Sequence, residues 1–79
     1  MMEESKLKSL AMVQRNKEVI VSQIIGGRQI RQKLADLGII PGTKVIIVSN
    51  NLMGPLILAV KNYRLAIGRG LATKIMVSD

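Results

Sequence analysis

Glycine and proline cut this chain into pieces too short for anything but a small, β-rich domain. Between Gly26-Gly27, Gly38, Pro41-Gly42, Gly54-Pro55 and Gly68-Arg69-Gly70 lie brief runs crowded with Ile, Val and Leu. Residues 18–25 (EVIVSQII), 43–49 (TKVIIVS), 56–61 (LILAVK), 64–67 (RLAI) and 75–77 (IMV) are rich in β-branched and aliphatic side chains and bounded by turn formers, so each reads as a strand. The first carries apolar side chains on both faces, which predicts burial on both sides or a place in a barrel wall.

A helical period occurs in RQIRQKLADLG. Ile30, Leu34 and Leu37 fall at i, i+4 and i+7 and form one apolar stripe, while Arg28, Arg31, Gln32 and Ala35 lie opposite. Gly38 stands where a left-handed C-cap belongs, and Pro41 follows. Pro41-Gly42 suits the two central positions of a type II turn. Asn62-Tyr63 reads as a two-residue hairpin turn, and residues 68–73 leave room for about one helical turn. Residues 7–13 read as a helical turn or an edge segment, and residues 1–6 as a frayed polar lead-in.

These pieces predict a mainly β fold. It is a small, partly open barrel of about five strands, with one helix between the first two and a short helical turn before the last. One crossover helix is too few for a doubly wound parallel sheet. At 79 residues a second core would have too little surface to bury, so 1–79 is read as a single domain.

The residue types on hand exclude much chemistry. There is no Cys and no His, hence no disulfide, no Cys/His metal site and no histidine-based nucleophile or acid–base pair. Glu18 and Asp36 are the internal acids, and nothing in the sequence brings them together. Hard divalent ions want several oxygen ligands and softer ones want thiolate or imidazole. The chain therefore reads as a non-enzyme with no cofactor and no dedicated metal site. Residues 68–73 (GRGLAT) resemble the start of a dinucleotide fingerprint but lack its third small residue and its distant acid. Residues 38–44 (GIIPGTK) lack the residue order of a P-loop.

What remains is surface. Over residues 5–78, 12 basic side chains against Glu18 and Asp36 leave +10. Such a body is attracted to nucleic acid, an inner membrane leaflet or an acidic protein face, or is simply kept soluble by its charge. Single-strand binders stack bases on aromatic platforms, and this chain has one Tyr, no Phe and no Trp. Phosphate contacts by Lys and Arg remain open to it. The same lack removes the aromatic groove with which SH3 domains take proline-rich ligands. Arg28 and Arg31, i, i+3 neighbours on the solvent face of the helix, are candidates to grip an acidic partner or a phosphate; the alternative is an ordinary solvated face. Leu52-Met53 beside Gly54-Pro55 forms an apolar knob in the loop, which either meets a partner or folds back onto its own core. Met12 and Met76 read as core filler. Glu3 and Glu4 stand where a signal peptide would be basic, and the longest apolar run, Leu56–Val60, is far short of the roughly 20 residues that span a bilayer. A cytoplasmic protein without membrane insertion is expected.

Taken in order, the punctuation is similar to that of a known family. Residues 34–45 (LADLGIIPGTKV) resemble the L-x-x-L/M-G-I/L-x-P-G-T-x-V/I segment of the FeoA family. Residues 52–56 (LMGPL) resemble its P-L-G-G/D-P-I loop, and YRLAIG followed by ATKIMV its closing Y-x-I/L-A-L-R…A-x-x-I-x-V. The resemblance covers residues 10–77. It implies an SH3-like barrel and a role in bacterial ferrous iron uptake. FeoA-like proteins are small cytoplasmic accessories of the membrane transporter FeoB, which carries a cytosolic GTP-binding domain. The partner implied is thus a FeoB-like transporter, touched through Leu52, Met53, Gly54 and Pro55 and through Arg28 and Arg31. The same fold occurs as the C-terminal interaction domain of DtxR-type iron-dependent repressors, an alternative kept beside a small basic barrel that binds nucleic acid. Two positions depart from the family pattern. Leu52 stands where Pro is common, which predicts a more flexible loop. Gly68-Arg69-Gly70 replaces Leu-Arg-Arg followed by Glu, which removes any contact of that acid.

Overall fold

In the computed structural model, which describes residues 7–79, the strands are β1 (Lys8–Ser9), β2 (Glu18–Ile24), β3 (Lys44–Asn50), β4 (Leu56–Val60), β5 (Tyr63–Ile67) and β6 (Ile75–Ser78). They form one antiparallel sheet in the order β1-β6-β2-β3-β4-β5. The lead-in expected over residues 1–6 lies outside the described residues. Helix α1 (Arg28–Asp36) joins β2 to β3, and the single-turn helix α2 (Arg69–Ala72) joins β5 to β6. Register shifts in β2 between Val21 and Gln23 and in β3 between Ile47 and Ser49 bend the sheet. β1 and β5 remain as its two edges, so the SH3-like barrel is partly open.

The expected five strands are six. Residues 7–13 hold both an edge strand, pairing Lys8 with Val77 and Ser9 with Met76, and a 3₁₀ turn, Leu10–Met12. A two-residue strand has no periodicity to read. α1 consequently lies between the second and third strands.

The core is wholly aliphatic. Val19 and Val21, Val45 and Ile47, Leu56, Leu58 and Val60, and Ile75 and Val77 point inward from alternating positions, with no buried polar side chain among the described residues. Of the two readings of β2, the place in a barrel wall holds: Val19 and Val21 are buried, whereas Ile20 on the other face is exposed. The sheet is covered on the inside and open to water on the outside.

The end of α1 corrects the predicted stripe. Leu34 is buried and Ile30 is packed against the core, but Leu37 is exposed and Ile39 takes its place. The cause is the cap. Gly38 adopts φ +92°, its N–H donates to the Ala35 carbonyl at 2.9 Å, and the Ile39 N–H donates to the Leu34 carbonyl at 2.8 Å. This is the Schellman arrangement, in which the residue after the glycine packs back on the helix. Next, Gly42 has φ +98° and the Thr43 N–H donates to the Ile40 carbonyl at 3.0 Å, as a type II turn over Pro41-Gly42 requires.

The β4–β5 hairpin is offset by one residue from the expectation. Its turn is Lys61-Asn62, with Lys61 at φ +55°, and Tyr63 is the first residue of β5, opposite Val60. In the strand, the Tyr63 hydroxyl reaches the Leu37 carbonyl and donates to it at 2.7 Å.

Candidate functional site

The loop 51–55 leaves the end of β3, and its tip stands in water. Leu52 is 85% exposed and Met53 96%. The alternative of a loop folded back on its own core is thereby excluded. Gly54 is half-buried and Pro55 exposed. Met12 is corrected too: it is 71% exposed instead of filling the core, whereas Met76 is half-buried. Met12 and Leu52 line one shallow depression with Val13 and Asn50. The apolar surface here is therefore three-membered: Met12, Leu52 and Met53.

The base of this loop is tied down. Asn50 donates from Nδ2 to the carbonyls of Ala11 at 3.2 Å and Val13 at 2.7 Å. Arg69, brought in by α2, donates to Asn50 Oδ1 at 2.6 Å, to the Asn51 carbonyl and to the Ala11 carbonyl at 3.5 Å. One guanidinium thus joins α2, the 3₁₀ turn and the exit of β3, which a planar fork of donors can do and a single ammonium cannot. Asn50 and Arg69 are the residues that sequence reasoning missed. Their partners lie 19 and 58 positions away from Arg69, beyond any local pattern. The one signal available was the departure at Gly68-Arg69-Gly70, which reads as a loss of contact and instead frames a new one.

Arg28 and Arg31 are both exposed on α1 and line a shallow cleft with Gln23, Gln32, Ile40 and Pro41. Ile40 and Pro41 of that cleft lie in the turn that leads into the first residue of β3, whereas the Leu52–Met53 knob follows its last. At about 3.3 Å per residue, the seven residues of β3 separate the two by roughly 20 Å. The structure therefore does not bring all six candidate residues together. They form two surfaces at opposite ends of the barrel.

The internal acids stay apart: Glu18 opens β2, and Asp36 closes α1, accepting from Gln32 Nε2 at 2.9 Å. Among the described residues no group of three or more acids, His or Cys converges. No helix among them is long and apolar enough to cross a membrane.

Against known proteins, the model of the FeoA domain matches residues 8–79. A candidate Fe(2+) transport protein A of Methanocaldococcus jannaschii is 44% identical over 70 residues, which is 89% of this chain and 84% of that protein. The crystal structure of an iron uptake regulatory protein (FeoA) is similar with a TM-score of 0.84 at 36% identity, covering 94% of this chain and 97% of the other. A manganese-dependent transcriptional repressor reaches a TM-score of 0.85 at 17% identity, over 95% of this chain and 42% of the repressor. At that identity the likeness is one of fold alone.

Proposed function

The chain belongs to the FeoA family, and from that premise we propose that it is a non-enzymatic, cytoplasmic accessory of ferrous iron uptake that works by touching the cytosolic part of a FeoB-like transporter. Ferrous iron is the transporter's cargo and need not be held by this protein, whose side chains offer it no converging ligand set among the described residues. The observation that carries the reading is the Leu52–Met53 knob. A large exposed apolar tip costs solvation, and burying a Leu or Met side chain stabilises a complex by about 1.5–3 kcal/mol. Hydrogen bonds fix the base of this loop at Asn50 and Asn51, which limits the backbone ordering that binding would cost.

The nucleic-acid reading gains no support from the site. The single aromatic, Tyr63, has its hydroxyl committed to the Leu37 carbonyl, and its ring end sits over Gly38. No stacking platform is assembled.

The test is binding of the purified protein to the FeoB-like transporter of its own organism in detergent, with a Leu52→Asp, Met53→Asp double variant beside it. Loss of affinity on the order of 100-fold is expected from the lost burial, with the circular dichroism spectrum unchanged. Undiminished binding by a folded double variant would discard the loop as the docking element.

A further inference from the structure

We propose that the end of the barrel opposite the Leu52–Met53 knob is a docking surface for an anionic lipid leaflet. This surface is distinct from the transporter contact and does not depend on it.

The Ile40-Pro41 ridge is its centre. These two residues belong to both of the shallow clefts at this end. Arg28 and Arg31 line one cleft, and Lys44 and Lys61 line the other, so cations flank the ridge on both sides. Ile40 is 51% exposed, and Ile46, in the second cleft, is exposed as well. The acids near this surface are Glu18, beside Lys44 and Lys61, and Asp36 at the end of α1, which keeps its charge while accepting from the neutral Gln32 amide. Four cations thus outnumber two carboxylates around an aliphatic crest.

The crest is preformed. The Ile40 N–H donates to Thr43 Oγ1 at 3.2 Å, the Gly42 N–H donates to the Val21 carbonyl at 2.7 Å, and the Val21 N–H donates to the Thr43 carbonyl at 2.8 Å. The turn is therefore stitched to β2, and it presents Ile40 without further ordering.

Charge complementarity alone would accept any polyanion. The crest selects among them. An acidic protein face or a duplex answers the cations but leaves Ile40 and Pro41 against a polar surface. A leaflet of anionic lipids answers both, with phosphates for the four cations and the acyl boundary for the aliphatic crest between them. Four charges and one half-exposed Ile make a weak, reversible attachment, because stable anchoring of a peripheral protein takes a second signal. With the ridge on the headgroups, the Leu52–Met53 knob stands roughly 20 Å away, given the length of β3, and is free to meet a cytosolic domain.

Vesicle flotation tests this without any transporter present, so its outcome and that of the docking experiment are separable. The wild-type chain should float with vesicles of phosphatidylcholine mixed with phosphatidylglycerol at low salt, and stay behind with phosphatidylcholine alone. High salt should release it. Arg28→Gln with Arg31→Gln should reduce partitioning by roughly 30-fold, as should Lys44→Gln with Lys61→Gln. Ile40→Ser, which leaves every charge in place, should reduce it severalfold. All these positions are exposed, and retention of the fold is read from the circular dichroism spectrum. Absence of binding to the anionic vesicles at low salt would overturn the proposal. So would Ile40→Ser variants that float like the wild type, since the crest would then contribute nothing. Equal or tighter binding to a DNA or RNA duplex in the same buffer would transfer the surface to nucleic acid and also refute it.

Discussion

Arg69 donates from its guanidinium to the side-chain carbonyl of Asn50 at 2.6 Å, and through this contact the last turn of the chain's helical structure governs the exit of β3. Asn50 in turn spans to Ala11 and Val13, so three segments remote in sequence meet under the Leu52–Met53 tip. Leu52, the departure from the family pattern, lies at the tip beyond this bonded base. The base is fixed by hydrogen bonds from both neighbouring elements.

Replacing Arg69 by Met keeps much of the stem and removes all three donations. Its Nε–H is buried without a partner, so part of the guanidinium's desolvation cost is recovered. The expected net loss is therefore about 1–2 kcal/mol in urea unfolding. The loss should be local in its dynamics: amide exchange should accelerate over residues 10–13 and 50–55 and stay unchanged in the β4–β5 hairpin. Uniform acceleration across the sheet would mean that Arg69 supports the whole barrel and not the loop.

Gly38 and Tyr63 form the second coupled pair. A Cβ built on Gly38 would stand 2.0 Å from the Tyr63 hydroxyl oxygen and 3.4 Å from Cζ, and Gly38 already needs φ +92°. Gly38→Ala should cost about 2 kcal/mol or more, from backbone strain and the clash together. Tyr63→Phe alone should cost about 0.5–1.5 kcal/mol, the worth of one hydrogen bond. In the double variant the oxygen that the new methyl meets is gone. Its loss in denaturant melts should fall short of the sum of the two singles. Strict additivity would show that the strain at φ +92° accounts for the whole cost of Gly38→Ala.

Five of the six strands, helix α1 and the two turns around Gly38 and Gly42 were legible because each rests on local signals: β-branched runs, a helical stripe, and residues that accept positive φ. What misled was the helical stripe continued past its cap. Leu37 satisfies the i+7 position, but the Schellman turn redirects the chain and seats Ile39 on Leu34. Asn62-Tyr63 reads as a turn because Asn accepts left-handed backbone; the bond of the Tyr63 hydroxyl to Leu37, 26 residues away, favours the strand. Within the candidate site, the Leu52–Met53 knob was legible as two large apolar residues in a loop. The Arg69–Asn50 support was not, since its partners meet only once the sheet has folded, and neither was the exposure of Met12.

The Leu37/Ile39 exchange makes a sharp stability contrast. Ile39→Ala removes a fully buried side chain and should cost about 2–5 kcal/mol. Leu37→Ala, two residues away on the exposed side of the cap, should cost less than about 1 kcal/mol. Similar midpoints in urea for the two variants would contradict the cap geometry.

Met12 is the remaining test of how far the apolar tip extends. It is 71% exposed and lines the same depression as Leu52, whereas Val13, one residue on, is fully buried. Met12→Ser should therefore leave the unfolding midpoint nearly unchanged, while Val13→Ser should lower it strongly, because it puts an unpaired hydroxyl in an aliphatic core. If Met12, Leu52 and Met53 meet one transporter surface, Met12→Ser should weaken that binding by about tenfold, the worth of partial burial of one Met side chain. Combined with the Leu52→Asp, Met53→Asp pair, it should add little further loss, since the contact is already broken. A salt titration separates this from the cationic end: apolar docking should persist at high salt, where attraction between exposed charges is screened. Affinity that collapses with salt and ignores Met12→Ser would place the transporter contact on the Arg28–Arg31 side and take it away from the loop.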